Sequence, residues 1–118
     1  MRDVSILTDN GVNLEGALEL LGDLSFYDET LEAFLMENET RIPNIEKYKK
    51  ELNMEDYAIL VHALKSDSKY LGFTSLAEIA YTHELASKAN NVDEVNKKYG
   101  LLIDEVNKVT AIAKKYLG

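Results

Sequence analysis

Seven residues near the C-terminal end limit the fold most: Val95, Tyr99, Leu102, Val106, Val109, Ala113 and Tyr116 recur at alternating steps of four and three. A helix lines all seven along one face, whereas a strand, with its period of two, scatters them. Such a seam is stable only when other helices cover it, and the rest of the chain supplies them. Asn13 is placed to cap a short helix carrying Leu14, Ala17, Leu18 and Leu21 and ending at Gly22. So short a helix does not hold alone, so it is expected to dock as a cover on a larger body. Ser25, followed by Asp28 and Glu29, is expected to start a long helix with Tyr27, Leu31, Phe34, Ile42, Ile45, Tyr48 and Leu52 inside; Pro43 is expected to kink it rather than break it into two segments near Arg41, because the apolar register resumes at Ile45. Asn53 is expected to cap a third helix carrying Tyr57, Leu60 or Val61, Leu64, Ser68 and Leu71, closed by Gly72. Thr74 is expected to cap a fourth, with Leu76, Ile79, Ala80, His83 and Ala86, and Asp93 to start the last. The pattern reads as all-α: an up-down antiparallel four-helix bundle with a short extra N-terminal helix, one domain over residues 1–118.

Composition narrows the partners. A formal charge of −8 disfavours nucleic acid and anionic membrane surfaces, since both are bound by clustered Lys and Arg. No run approaches the length of an apolar membrane span, and Met1 to Ser5 does not lead into a signal-type apolar stretch. The absence of cysteine removes disulfides and thiolate metal sites and fits a reducing compartment, so a cytoplasmic location is expected. The two histidines lack metal-ligand spacing, and no metal site is expected.

Within the third helix, a step of about 100° per residue places Val61, Leu64, Ser68 and Leu71 on the buried stripe and His62, Lys65, Ser66 and Lys69 on another face. An outward, neutral imidazole is a nucleophile, and cations one and two turns on can stabilise an anion bonded to it. A cation about 4 Å from a phosphate in an exposed setting contributes on the order of 1–4 kcal/mol before screening. By contrast His83 falls on a buried stripe and reads as a partly buried core residue. Glu55 and Asp67 read as solvated helix charges, Asp67 about 140° round from His62.

The run His62-x-Leu64-Lys65-x-x-Ser68-x-x-x-Gly72, with Leu76 and Glu84 further on, resembles the signature of histidine-containing phosphotransfer (HPt) domains of bacterial two-component phosphorelays. Gly16 to Asp23 and Tyr27 to Leu35 are similar to that family's N-terminal helix and first bundle helix. Ser66 stands where the family pattern has glycine, and His83 where it has leucine. The resemblance implies that His62 accepts a phosphoryl group from a receiver aspartyl phosphate or a sensor kinase and passes it to a receiver Asp, with Lys65 and Lys69 stabilising the phosphate. It also implies a docking face shaped by Ser66 and Gly72, beside a small apolar patch of Ala58 and Ile59. The partner is then a response-regulator receiver domain or a hybrid histidine kinase. The chain is expected to be a monomeric carrier without turnover or cofactor of its own, with Mg²⁺ needed only in the partner. The alternative is a non-catalytic docking or inhibitor module for a receiver or kinase, toward which Ser66 points and against which His62 and Lys65 point.

Overall fold

Four short polar side chains decide where the helices begin. The side-chain oxygens of Asn13, Asp23, Asn53 and Asn91 accept from the backbone N–H groups of Gly16, Phe26, Asp56 and Glu94, satisfying donors that a helix start leaves unpaired. The computed structural model describes residues 2–118 and contains α1 (Ser5–Thr8), α2 (Leu14–Leu21), α3 (Leu24–Lys50), α4 (Met54–Tyr70), α5 (Thr74–Lys88) and α6 (Val92–Leu117). Among the described residues there is no strand, so the all-helical reading stands.

Several expected boundaries move by one or two residues. Asp23, with extended backbone, caps α3 in place of Ser25. Phe73 occupies the cap position of α5 without a side-chain bond, and Thr74 is already helical. Asn91 caps α6, leaving Asp93 in its first turn, where a negative charge suits the helix dipole. The helix α3 runs through Pro43 without a break. Pro43 is exposed, as is Glu39, whose carbonyl loses its helical donor there. Leu52, expected inside, is 62% exposed in a left-handed turn with φ 57°. The helix α1 had no counterpart in the sequence reading. It forms because Asp3 Oδ1 accepts from both Ser5 N at 3.0 Å and Ser5 Oγ at 2.7 Å, and its Leu7 is wholly buried.

The seam of α6 is inside as its spacing requires: Val95, Leu102, Val106, Val109, Ala113 and Tyr116 are buried, and Tyr99 is half-buried. It meets Tyr27, Leu31, Phe34 and Ile45 of α3, Tyr57, Val61 and Leu64 of α4 and Leu76 and Ala80 of α5 in one apolar core. Two interior tyrosines carry polar ties between helices. Tyr27 donates to the Leu71 carbonyl at 2.7 Å, and Tyr57 bonds His83 Nδ1 at 2.8 Å. The other nitrogen of His83, Nε2, lies 3.0 Å from the Lys98 carbonyl, which can only accept. His83 is therefore the Nε2–H tautomer, with the Tyr57 hydroxyl donating to Nδ1, and it joins α4, α5 and α6 from a position 1% exposed.

The inner face of α3 also carries two polar residues that the sequence reading did not place inside. Asn38 and Arg41 are buried, and Arg41 donates through Nε to Asn38 at 2.8 Å and through Nη1 to Asp67 at 2.8 Å. Asp67 is thus tied to a buried cation on another helix, not merely solvated, because the guanidinium needs a counter-charge inside.

Gly72 holds α2 against the α4–α5 turn. Its φ of 83° is left-handed, its carbonyl accepts from Asn13 N at 2.9 Å, and a Cβ there lies 2.5 Å from the Asn13 carbonyl oxygen. The Gly72→Ala variant is expected to lose at least about 2 kcal/mol in urea unfolding, with faster amide exchange over Leu14–Leu21; unchanged exchange there contradicts this role. Burial holds the pKa of His83 below the ordinary histidine range, outweighing the Lys98 carbonyl and Glu94, which act the other way, and Lys98 adds to the lowering. The unfolded chain then binds more protons than the folded one below about pH 6.5, so His83 costs stability as the pH falls through that value. Urea midpoints of the wild type should drop more between pH 7 and 5 than those of His83→Gln, and parallel curves contradict the assignment.

Candidate functional site

The turn at Leu71–Phe73 folds α5 back along α4, and this pairing, the most extensive in the molecule, fixes what faces His62. His62 is ten residues before Gly72 and Glu84 twelve after it, so the two lie level across the hairpin. The His62 side chain is 55% exposed and that of Glu84 3%. The imidazole Nδ1 lies 2.7 Å from Glu84 Oε2, Lys65 Nζ is 2.7 Å from Oε1, and Lys88 Nζ is 2.7 Å from Oε2.

Three donors on one buried carboxylate explain its ionisation. Burial alone raises the Glu84 pKa, but the hydrogen bonds from Lys65, Lys88 and His62 outweigh it and bring the value down to about 2. An ionised carboxylate only accepts, so Nδ1 of a neutral His62 carries the hydrogen and Nε2 keeps its lone pair. The nitrogen not engaged by Glu84 belongs to a ring more than half open to solvent. What the arrangement offers chemically is a nucleophilic nitrogen at a fixed place on a rigid helix, with a carboxylate behind the ring.

Lys65 is held as well as placed: its side chain is 24% exposed, and its ammonium sits 4.9 Å from the centre of the Tyr81 ring as well as on Glu84. Lys69 is exposed, makes no ion pair among the described residues, and lines a groove between α2, α4 and α5 with Asn13, Leu20 and Tyr81. Lys65 lines the same groove, so the structure ties His62 and Lys65 together through Glu84, whereas Lys69 shares the groove with Lys65 without bonding Glu84. On the other side His62 lines a groove with Met54, Glu55, Ala58, Ile59, Ser87 and Lys88. Ala58 is buried at its floor and Ile59 is 61% exposed at its rim. Ser66 is half-buried on α4, while Gly72 is buried beneath Asn13.

Glu84 and Lys88 were not singled out as site residues from the sequence. Their spacing of four on one helix signals a pair, but only the α4–α5 hairpin shows that the pair lies beside His62. No group of His, Cys, Asp and Glu that could hold a metal ion is found among the described residues. No described helix is long and apolar enough to cross a membrane.

The family model described as Hpt domain matches residues 29–111, which span most of α3, all of α4 and α5 and most of α6. No curated protein and no solved structure matches the chain.

The Glu84 cluster makes two measurable demands. Because the folded pKa lies below the ordinary 4.5, its contribution to stability is full above that value and is lost as the pH falls toward about 2. Glu84→Gln should therefore flatten the acid limb of the stability curve relative to wild type, and an unchanged limb contradicts the ionised cluster. In ¹⁵N NMR, neutral wild-type His62 should be the Nδ1–H tautomer and revert to mainly Nε2–H in Glu84→Ala, with the same tautomer in both as the contrary result.

Proposed function

The chain belongs to the Hpt domain family, and on that premise we propose that it is a phosphoryl carrier whose acceptor atom is His62 Nε2. Membership places it in phosphorelay histidine phosphotransfer; the acceptor, its neighbours and the direction of transfer are our reading. The observation that carries it is the 2.7 Å contact of Glu84 with Nδ1 of a ring 55% exposed, which leaves the other nitrogen as the one lone pair available to a partner.

In transfer, the Nε2 lone pair attacks the phosphorus of an aspartyl phosphate on a receiver domain. The Nε2–P bond forms as the P–O bond to the receiver carboxylate breaks, and that carboxylate leaves with the electron pair. The ring becomes positive, and Glu84, already bonded to Nδ1–H, stabilises the charge without moving. Transfer to the next receiver aspartate is the same step reversed. Lys65 stays on Glu84, and Lys88, whose side chain is 60% exposed, exchanges Glu84 for phosphate oxygen. Lys69 acts through the field at longer range. Any Mg²⁺ is supplied by the receiver, and this chain's residues position, orient and release.

The partners in this reading are receiver domains and histidine kinases of phosphorelays, met by a monomer. Ala58 and Ile59 give the face an apolar centre, and Ser66, one turn beyond His62, leaves little to clash. An up-down antiparallel order of α3 to α6 belongs to the same reading and is supported by the three-residue connections Glu51–Asn53, Leu71–Phe73 and Ala89–Asn91.

Incubation with a phosphorylated receiver or an active kinase from the same source should label the wild type and His83→Gln but not His62→Gln, and the label should be acid-labile and base-stable. Lys65→Ala should slow labelling by about tenfold, a loss of roughly 1.4 kcal/mol in the transition state. If a cognate receiver binds the wild type yet leaves it unlabelled, the carrier reading fails and the docking module replaces it.

A further inference from the structure

On the flank of α4 away from His62 a third groove opens between α3 and the end of α4. It has a volume of about 270 Å³ and is walled by Phe26, Ala33 and Glu37 on α3 and Asp67 and Tyr70 on α4, with Phe34 at its base. Phe26 and Tyr70 are each 50% exposed, a large apolar area for two aromatic rings to leave in water. The carboxylates gather at the other end. From Phe26 to Glu37 is about 16 Å along the helix at 1.5 Å per residue.

Charge decides what fits. Arg41 lies beneath, 2.8 Å from Asp67 and 3.7 Å from Glu37, with its side chain 8% exposed. One buried guanidinium between two carboxylates leaves a net negative charge at the mouth, no Lys or Arg lines the groove, and the whole chain carries −8. An anionic segment is disfavoured there, whereas a lysine or arginine gains both carboxylates. Apolar walls at one end and carboxylates three turns away match a helix with an apolar stripe and a basic end.

We propose that this groove docks a cationic amphipathic helix of a partner protein. It lies about 80–140° round α4 from His62, since Tyr70 and Asp67 are eight and five residues further on. A partner seated there leaves His62 Nε2 open, so binding holds a partner close without occupying the transfer face. Docking in this groove does not depend on the carrier reading; only its consequence for His62 does.

The test is an NMR titration of the full chain with a helix-forming peptide of about 18 residues, built of leucine and alanine on one face and lysine on the other. A counterpart with glutamate for lysine serves as control. Saturable shifts at the amides of Phe26, Ala33, Glu37, Asp67 and Tyr70 are expected, weakened about tenfold by Phe26→Ala and by Glu37→Lys, and reduced at high salt. Both positions are exposed, and an unchanged spectrum elsewhere verifies the fold. Absence of saturable binding, equal binding of the glutamate peptide, or shifts confined to the Met54–Lys88 groove overturns the proposal. So does broadening of Phe26 and Tyr70 with chain concentration alone, which assigns the groove to a second copy.

Discussion

One buried carboxylate organises the surface that matters. Glu84 accepts from His62, Lys65 and Lys88, each at 2.7 Å, while its own side chain is almost fully covered. A buried charge is tolerated only when paired, so Glu84 constrains three side chains on two helices as firmly as they constrain it. The same bond that stabilises the carboxylate assigns the hydrogen on His62. Stability and chemistry therefore rest on one interaction, and neither can be altered without the other.

That interaction is possible only because α4 and α5 are held in register. Gly72 makes the turn that a side chain would obstruct, with α2 packed on it through the Asn13 backbone. Tyr27 closes the end of α4 by donating to Leu71, and His83 bonds Tyr57 on one side and the Lys98 carbonyl on the other. His83 directly precedes Glu84, so the core histidine and the site carboxylate are set by the same turn of α5, one facing inward and one toward α4. In the proposed carrier, placing His62 on a helix packed this way keeps the ring oriented for an in-line transfer.

How much of this was legible follows from what each residue depends on. The α6 seam, the Asn13 and Asn53 caps, buried His83 and outward His62 depend on period and local chemistry, which one segment of sequence contains. The cap of α3 was missed because Ser25 and Asp23 both suit the role, and only the extended backbone of Asp23 selects it. Asn38 and Arg41 were missed because their burial rests on Asp67, which lies on another helix. Glu84 entered only as a letter of the family signature, without a role, and Lys88 not at all, since no property of α5 alone reveals a histidine across from it. Lys65 and Lys69 read alike on a helical wheel, yet Glu84 and Tyr81 engage only Lys65. Local rules locate elements, and pairings across helices locate the site.

The account comes down to which nitrogen carries the phosphoryl group. If Glu84 holds the hydrogen on Nδ1 throughout, the phosphoryl group can reside only on Nε2. The most direct measurement is ³¹P and ¹⁵N NMR of the phosphorylated, isotope-labelled chain. The account predicts phosphorus coupled to His62 Nε2, with Nδ1 still protonated. Phosphorus on Nδ1, or on His83, contradicts it.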